Sequence, residues 1–277
     1  MAALDRFLTT PDGASLFVHE IGEGRPVVVL HGGPAAGLDY LLPAFARLPG
    51  RVVLYDQRGC GRSTVAPGTA LDFDANLRDV GAVLDDVGAA DLVGYSFGGL
   101  MAMMYAARNP GRIARLALAS AAPPHHGFRA ALDAALAAAQ SSPWVSAERE
   151  ALERSGLREL HPEEYRRRRF TLTVAGYFAD ARLAHGLVPF KVQARTAEVI
   201  RGSMGEFDFR DEVAGLDGAR TLFVHGDADP IDWRILHGTA ASCGARFELL
   251  TACGHVPYLE AAEPFFSILR AFLGDAS

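Results

Sequence analysis

Residues 91–106 read DLVGYSFGGLMAMMYA. An apolar run enters, Gly94-Tyr95-Ser96-Phe97-Gly98 sits in the middle, and a small, oily segment leaves. The order is that of a strand, a tight turn and a buried helix. On such a turn a serine takes an unfavourable backbone conformation, and flanking glycines leave room for close packing. The hydroxyl is lifted above the sheet, beside a helix N-terminus whose positive potential favours developing negative charge. The same residues also fit a helix N-cap serine with accidental glycines. A G-x-S-x-G pentapeptide arises by chance often enough that its surroundings have to choose.

Outward from this stretch, short apolar runs alternate with helical patterns. The segments at 26–33, 51–56, 115–121, 220–226 and 246–252 are brief and rich in β-branched residues or leucine, as buried parallel strands are. The segment at 14–22 reads as an antiparallel edge strand after a Pro-Asp-Gly turn. Leu77, Val80, Leu84 and Val87 keep one helical face, with Gly88 as its stop. A last helix begins near Pro264 and carries Phe265, Leu269, Phe272 and Leu273. This alternation predicts a doubly wound α/β sheet with helices on both faces. The rhythm breaks between 122 and 216, where no convincing strand occurs. Residues 1–121 and 217–277 are therefore expected to form the core, and 122–216 a helical lid above the C-terminal edge of the sheet, where ligands bind.

Three further strand ends carry polar residues. After the 26–30 run comes His31-Gly32-Gly33-Pro34, whose Gly33 amide would pair with that of Phe97 as an oxyanion hole. His31 itself reads as a structural histidine. After the 220–226 run, Asp227 and Asp229 both qualify as the acid that orients a catalytic histidine. Asp229 is favoured because it lies beyond the glycine, where the loop has cleared the sheet. Asp227 and Asp232 read as turn or helix-start residues, and His225 as core. His255 follows the 246–252 run and precedes a helix, which makes it the general base in the chain order serine, acid, histidine.

The motifs HGGP, YDQRGCGRS (55–63), VGYSFGG (93–99), GDADP (226–230) and CGHVPYLE (253–260) resemble the α/β-hydrolase superfamily. HGGP followed by DQRGxGxS is most similar to its proline iminopeptidase-like serine hydrolases. The resemblance implies an α/β-hydrolase fold with a mostly parallel eight-stranded sheet. It also implies that Asp56, Arg58 and Gly59 are mainly architectural. One departure stands out. Several aminopeptidases of this branch place a glutamate directly after the triad acid, and here that residue is Pro230. Glu206 lies near the place of a second acid that these enzymes take from the lid. The departure shifts the expectation towards carboxylic ester or related acyl substrates. An aminopeptidase or amidase is the alternative, and a slow or non-catalytic ligand receptor on the same fold is a third reading. Cofactor-free cleavage of a carbon–carbon bond is a further possibility for the same triad.

Within the lid, Trp144, Phe170, Tyr177, Phe178 and Phe190 are candidates for an apolar pocket or for the lid's own core. Arg166 to Arg169 beside Glu163 and Glu164 read as a solvated helix face. The totals narrow the rest. A net charge of −6 favours neither nucleic acid nor an anionic membrane. Three cysteines without metal spacing fit a reducing compartment, and no metal or cofactor is expected. The first residues lack a signal-peptide pattern, so the expected location is cytoplasmic and the expected partner a small-molecule or short peptide substrate.

Overall fold

The computed structural model describes residues 3–274. One eight-stranded sheet runs through it in the order β1-β2-β4-β3-β5-β6-β7-β8. The strands are β1 (Ala3–Thr9), β2 (Ser15–Ile21), β3 (Pro26–Leu30), β4 (Arg51–Tyr55), β5 (Asp91–Tyr95), β6 (Leu116–Ala119), β7 (Thr221–Gly226) and β8 (Arg246–Leu250). β1 and β2 are antiparallel to their neighbours, and all pairs from β4 to β8 are parallel. The expected edge strand is therefore second in the sheet, and β1 covers its outer side. β1 escaped the sequence reading because it is mostly exposed, with Leu4 and Phe7 on the surface. It shows neither a buried apolar run nor a clean alternation.

Alternation along the central strands divides the core into two layers. Val27, Val29, Val93 and Tyr95 face one side, with α1 (Leu42–Phe45), α11 (Pro257–Glu260) and α12 (Ala262–Leu273). Val28, Leu30 and Leu92 face the other, with α2 (Phe73–Val87), α3 (Phe97–Arg108) and α10 (Trp233–Cys243). Gly88 ends α2 with φ 85°, a left-handed value that glycine adopts without steric cost.

Between β6 and β7 the described elements are all helical. The longest are α4 (Arg129–Gln140), α5 (Pro143–Arg154), α7 (Pro162–Val174) and α8 (Ala194–Met204), with the short α6 (Leu157–Leu160) and α9 (Arg210–Val213) between and after them. The ends of this interval meet: the His126 amide donates to Phe207 O, and the Phe209 amide to Pro124 O. α8 is tied to the core at three points. Thr196 Oγ1 donates to Gly59 O at 2.9 Å, Ser203 Oγ accepts from the Phe73 amide at 3.0 Å, and the Gln193 amide donates to Ala35 O at 3.0 Å. Among the described residues no helix is long and apolar enough to cross a membrane.

The 55–63 motif is the brace of the loops above the sheet. Asp56 is fully buried and accepts from the Leu38 and Arg62 amides, both at 2.8 Å. Arg58 is 1% exposed and forks onto Asp79, with further bonds to Asp12 and Ala70 O. A buried ion pair is poor evidence of net stabilisation, but breaking one leaves an uncompensated buried charge. Arg58→Met should lower the unfolding free energy by about 3–5 kcal/mol, and adding Asp79→Leu should restore part of it. Urea melts check both, and a loss well below 1 kcal/mol would refute this role for Arg58.

Candidate active site

Ser96 closes β5 and opens α3 with φ 54° and ψ −120°. This is a strained conformation for a residue with a side chain. Packing enforces it. A Cβ on Gly98 would lie 2.3 Å from Leu30 O, and one on Gly94 would lie 2.5 Å from Gly98 O. Only glycine allows the helix start to sit that close to β3 and β5. The turn is also pinned through its own backbone, since the Ser96 amide donates to Ala119 O and Ser96 O accepts from the Ala122 amide. The hydroxyl makes no helix-capping bond, so the N-cap reading fails. Its partner is His255 Nε2, at 2.9 Å.

His255 Nδ1 lies 2.8 Å from Asp229 Oδ2. With Nδ1–H donating to the carboxylate, Nε2 is free to accept the serine proton. The loop that presents His255 is held on all sides. Its amide donates to Tyr177 O at 2.7 Å, its carbonyl accepts from Tyr95 Oη at 3.0 Å, and the Glu260 carboxylate accepts from the amides of Ala179, Gly254 and Val256. Glu260 closes the CGHVPYLE motif, and this bracing is a role the sequence did not disclose. Asp227 accepts from the Cys253 amide, and Asp232 caps α10. Both therefore stand where turn and helix-start residues belong. His31 is buried between Gly32 O and the Gln57 amide, as a structural histidine is.

His225 is buried in β7, as expected, but it is not inert. Its Nε2 lies 3.0 Å from Ile231 O and 3.2 Å from Asp229 Oδ2. A carbonyl oxygen only accepts, so Nε2 carries the proton and shares it with the carboxylate. The Asp229 Oδ1 atom accepts from the Ile231 amide at 2.8 Å. Burial alone would push the Asp229 carboxyl up, but the facing histidines outweigh it and hold it below the usual carboxylate range. No pattern around VHG in the sequence points to this second contact, because it arises only when the loop after β7 folds back over the strand.

Gly33 and Pro34 line a cavity of about 300 Å³ together with Ser96, Phe97 and His255. Among the described residues neither the Gly33 nor the Phe97 amide has a protein acceptor, whereas the neighbouring Gly32 amide donates to Tyr40 Oη at 2.8 Å. Arg129, Asp133 and Arg201 also line this cavity. A second cavity of about 170 Å³ adjoins the same serine and is lined by Tyr40, Tyr95, Phe190 and Tyr258. Tyr177 faces both. Trp144, Phe170, Phe178 and Glu206 line neither. Phe178 is buried in the core, Trp144 and Phe170 pack against it, and Glu206 is exposed. Phe170 reaches the site only indirectly, stacking edge-on against Phe190 at 5.3 Å. Among the described residues no cluster of histidine, cysteine or acidic side chains is arranged to hold a metal.

A family model described as the alpha/beta hydrolase fold matches residues 25–262. The chain belongs to the α/β hydrolase fold family. A non-heme chloroperoxidase of Streptomyces lividans is 39% identical over 124 residues, 42% of this chain and 45% of that protein. A proline iminopeptidase of Xylella fastidiosa is 33% identical over 118 residues, 40% of this chain and 37% of that protein. The chain thus spans less than half the length of these curated relatives. Among solved structures, an esterase from Exiguobacterium antarcticum superposes with a TM-score of 0.66 at 25% identity, covering 98% of this chain and 99% of its own.

Burial pushes the His225 imidazole down from its ordinary value, against the opposing pull of Asp229. The folded protein then binds fewer protons at this site than the unfolded chain, so its contribution is present above about pH 6.5 and is lost as pH falls below it. Between pH 7 and 5.5 the native protein should lose stability more steeply than His225→Asn, by up to about 1.4 kcal/mol per pH unit. Urea midpoints at four pH values measure the two slopes, and equal slopes would contradict a neutral buried His225.

Proposed function

We propose that this protein is a serine hydrolase that cleaves a carboxylic ester through an acyl-enzyme intermediate. The observation that carries the reading is the chain Ser96 Oγ–His255 Nε2–His255 Nδ1–Asp229 Oδ2, at 2.9 and 2.8 Å, with two unpartnered amides opening into the same cavity. His255 takes the proton from Ser96 as Oγ attacks the carbonyl carbon. The amides of Gly33 and Phe97 receive the oxyanion. Collapse of the tetrahedral intermediate expels the alcohol, which takes its proton from His255. Water, deprotonated by the same imidazole, then releases the acid and restores Ser96. Asp229 holds the imidazole in the required tautomer, and His225 holds Asp229. Residues 122–216 act as the cap, with Tyr177 and Phe190 forming substrate walls.

The choice of ester over peptide rests on the charges at the cavities. An aminopeptidase needs a surplus of carboxylate to receive the free amine. Asp133 is the one carboxylate among the residues lining the two cavities, and it shares its cavity with Arg129 and Arg201. Pro230 follows Asp229 where an adjacent acid would stand.

A panel of p-nitrophenyl esters and aminoacyl p-nitroanilides, the latter with free and blocked amines, tests the reading. Ester turnover should dominate, and Ser96→Ala should lower kcat by on the order of 10⁴–10⁶-fold. Turnover of free-amine anilides that exceeds ester turnover would replace this reading with the peptidase one. Ester turnover that survives Ser96→Ala would remove it.

A further inference from the structure

The two cavities beside Ser96 differ in chemistry. The smaller is mostly aromatic and aliphatic with Arg201 at its wall, whereas the larger is lined by both Arg129 and Arg201, together with Asp133 and Ser96. Arg129 begins α4 and Arg201 lies on α8, so separate helices deliver them to one space. Both line the same cavity. Burial, then the like charge of Arg201, pushes the Arg129 guanidinium below its ordinary value, while Asp133 pulls the other way.

Their place beside Ser96 without a polar partner sets them apart. Among the described residues neither Arg129 nor Arg201 makes a hydrogen bond or an ion pair, and Asp133 stays beyond ion-pair distance of both. Elsewhere between β6 and β7 most arginines are occupied, and Arg167, Arg169 and Arg195, unpaired among the described residues, line neither cavity. Arg158 pairs with Glu153, Arg168 with Glu164, Arg182 with Asp180 and Arg210 with Asp208. With Arg129 half-buried and Arg201 exposed at one cavity, their N–H donors, about five on each guanidinium, have no protein acceptor. An anionic ligand supplies what the protein withholds, and a planar guanidinium fork suits a carboxylate best.

We propose that the larger cavity is a carboxylate subsite, in which Arg129 and Arg201 hold an anionic group on one side of the scissile ester while the other side fills the aromatic cavity. The proposal rests on the ester-hydrolase reading and narrows its substrates to half-esters of dicarboxylic acids or acyl esters of hydroxy acids. Water adds across the ester bond, and the products are a carboxylic acid and an alcohol, one of which carries the second carboxylate. Asp133 sits with the two cations and limits the site to a net single positive charge, which matches one carboxylate.

Two substrate pairs test it. In one, p-nitrophenyl hydrogen glutarate is compared with its methyl-capped neutral analogue, so the charge lies on the acyl side. In the other, 4-(butyryloxy)benzoate is compared with its methyl ester, so the charge lies on the alcohol side. In one pair the anionic substrate should have a kcat/KM at least tenfold above the neutral one. Arg129→Met and Arg201→Met should each cut that ratio by about tenfold, equivalent to about 1.4 kcal/mol. A ratio at or below one in both pairs, or substitutions that lower both members equally, would overturn the subsite. Calorimetric titration of Ser96→Ala with glutarate separates the two claims. Binding that is lost in Ser96→Ala/Arg201→Met, in a protein whose native form cleaves no ester, would support the anion site and overturn the hydrolase reading. Ester turnover with no charge preference and no glutarate binding would overturn the subsite alone.

Discussion

Everything at the site depends on a steric constraint: the start of α3 presses against the ends of β3 and β5 at a distance that only Gly94 and Gly98 permit. That contact forces Ser96 into positive φ and lifts Oγ off the sheet. It also brings the Phe97 amide beside the loop that carries Gly33. A methyl group at either glycine would have to displace backbone, so strain at Ser96 is offset by packing that has no softer arrangement. The hydroxyl is thereby denied its ordinary helix-capping bond and is left facing His255.

The remaining groups are positioned by bracing rather than by strain. His255 stands on a loop whose amides and carbonyl are bonded to Glu260, Tyr177 and Tyr95. Asp229 is reached from both sides, by His255 and by His225, and from its own loop by the Ile231 amide. A buried carboxylate with these partners remains ionised and fixed in direction. Tyr95 and Tyr177 belong to β5 and to the helical interval respectively. The histidine loop is thus registered to both the sheet and the helical interval between β6 and β7.

Much of this was legible in the sequence because it is local. Strand ends announce themselves through a β-branched run followed by glycine, and α2 through its apolar spacing and Gly88. The spacing between Gly226 and Asp229 favours the carboxylate that meets His255 in the fold, because the loop must clear the sheet first. What could not be read is what depends on distant segments meeting. β1 is an exposed edge and carries no apolar signature. His225 and Glu260 acquire their partners only through loop closure. The aromatic residues of 122–216 divide between packing and lining according to helix orientation, which composition does not encode. Tyr177 faces the cavities, while Phe178, one residue on, is buried in the core. That Arg129 and Arg201 line one cavity depends on where α4 and α8 reach it and has no local signal at all.

The central claim is that the packing at Gly94 and Gly98 makes Ser96 a nucleophile rather than a helix cap. Intact-mass spectrometry after reaction with a fluorophosphonate, followed by peptide mapping, tests it most directly. The account predicts a single phosphonyl adduct on Ser96, absent from Ser96→Ala and formed far more slowly in Asp229→Asn. An unlabelled native protein, or an adduct that persists in Ser96→Ala, would contradict it.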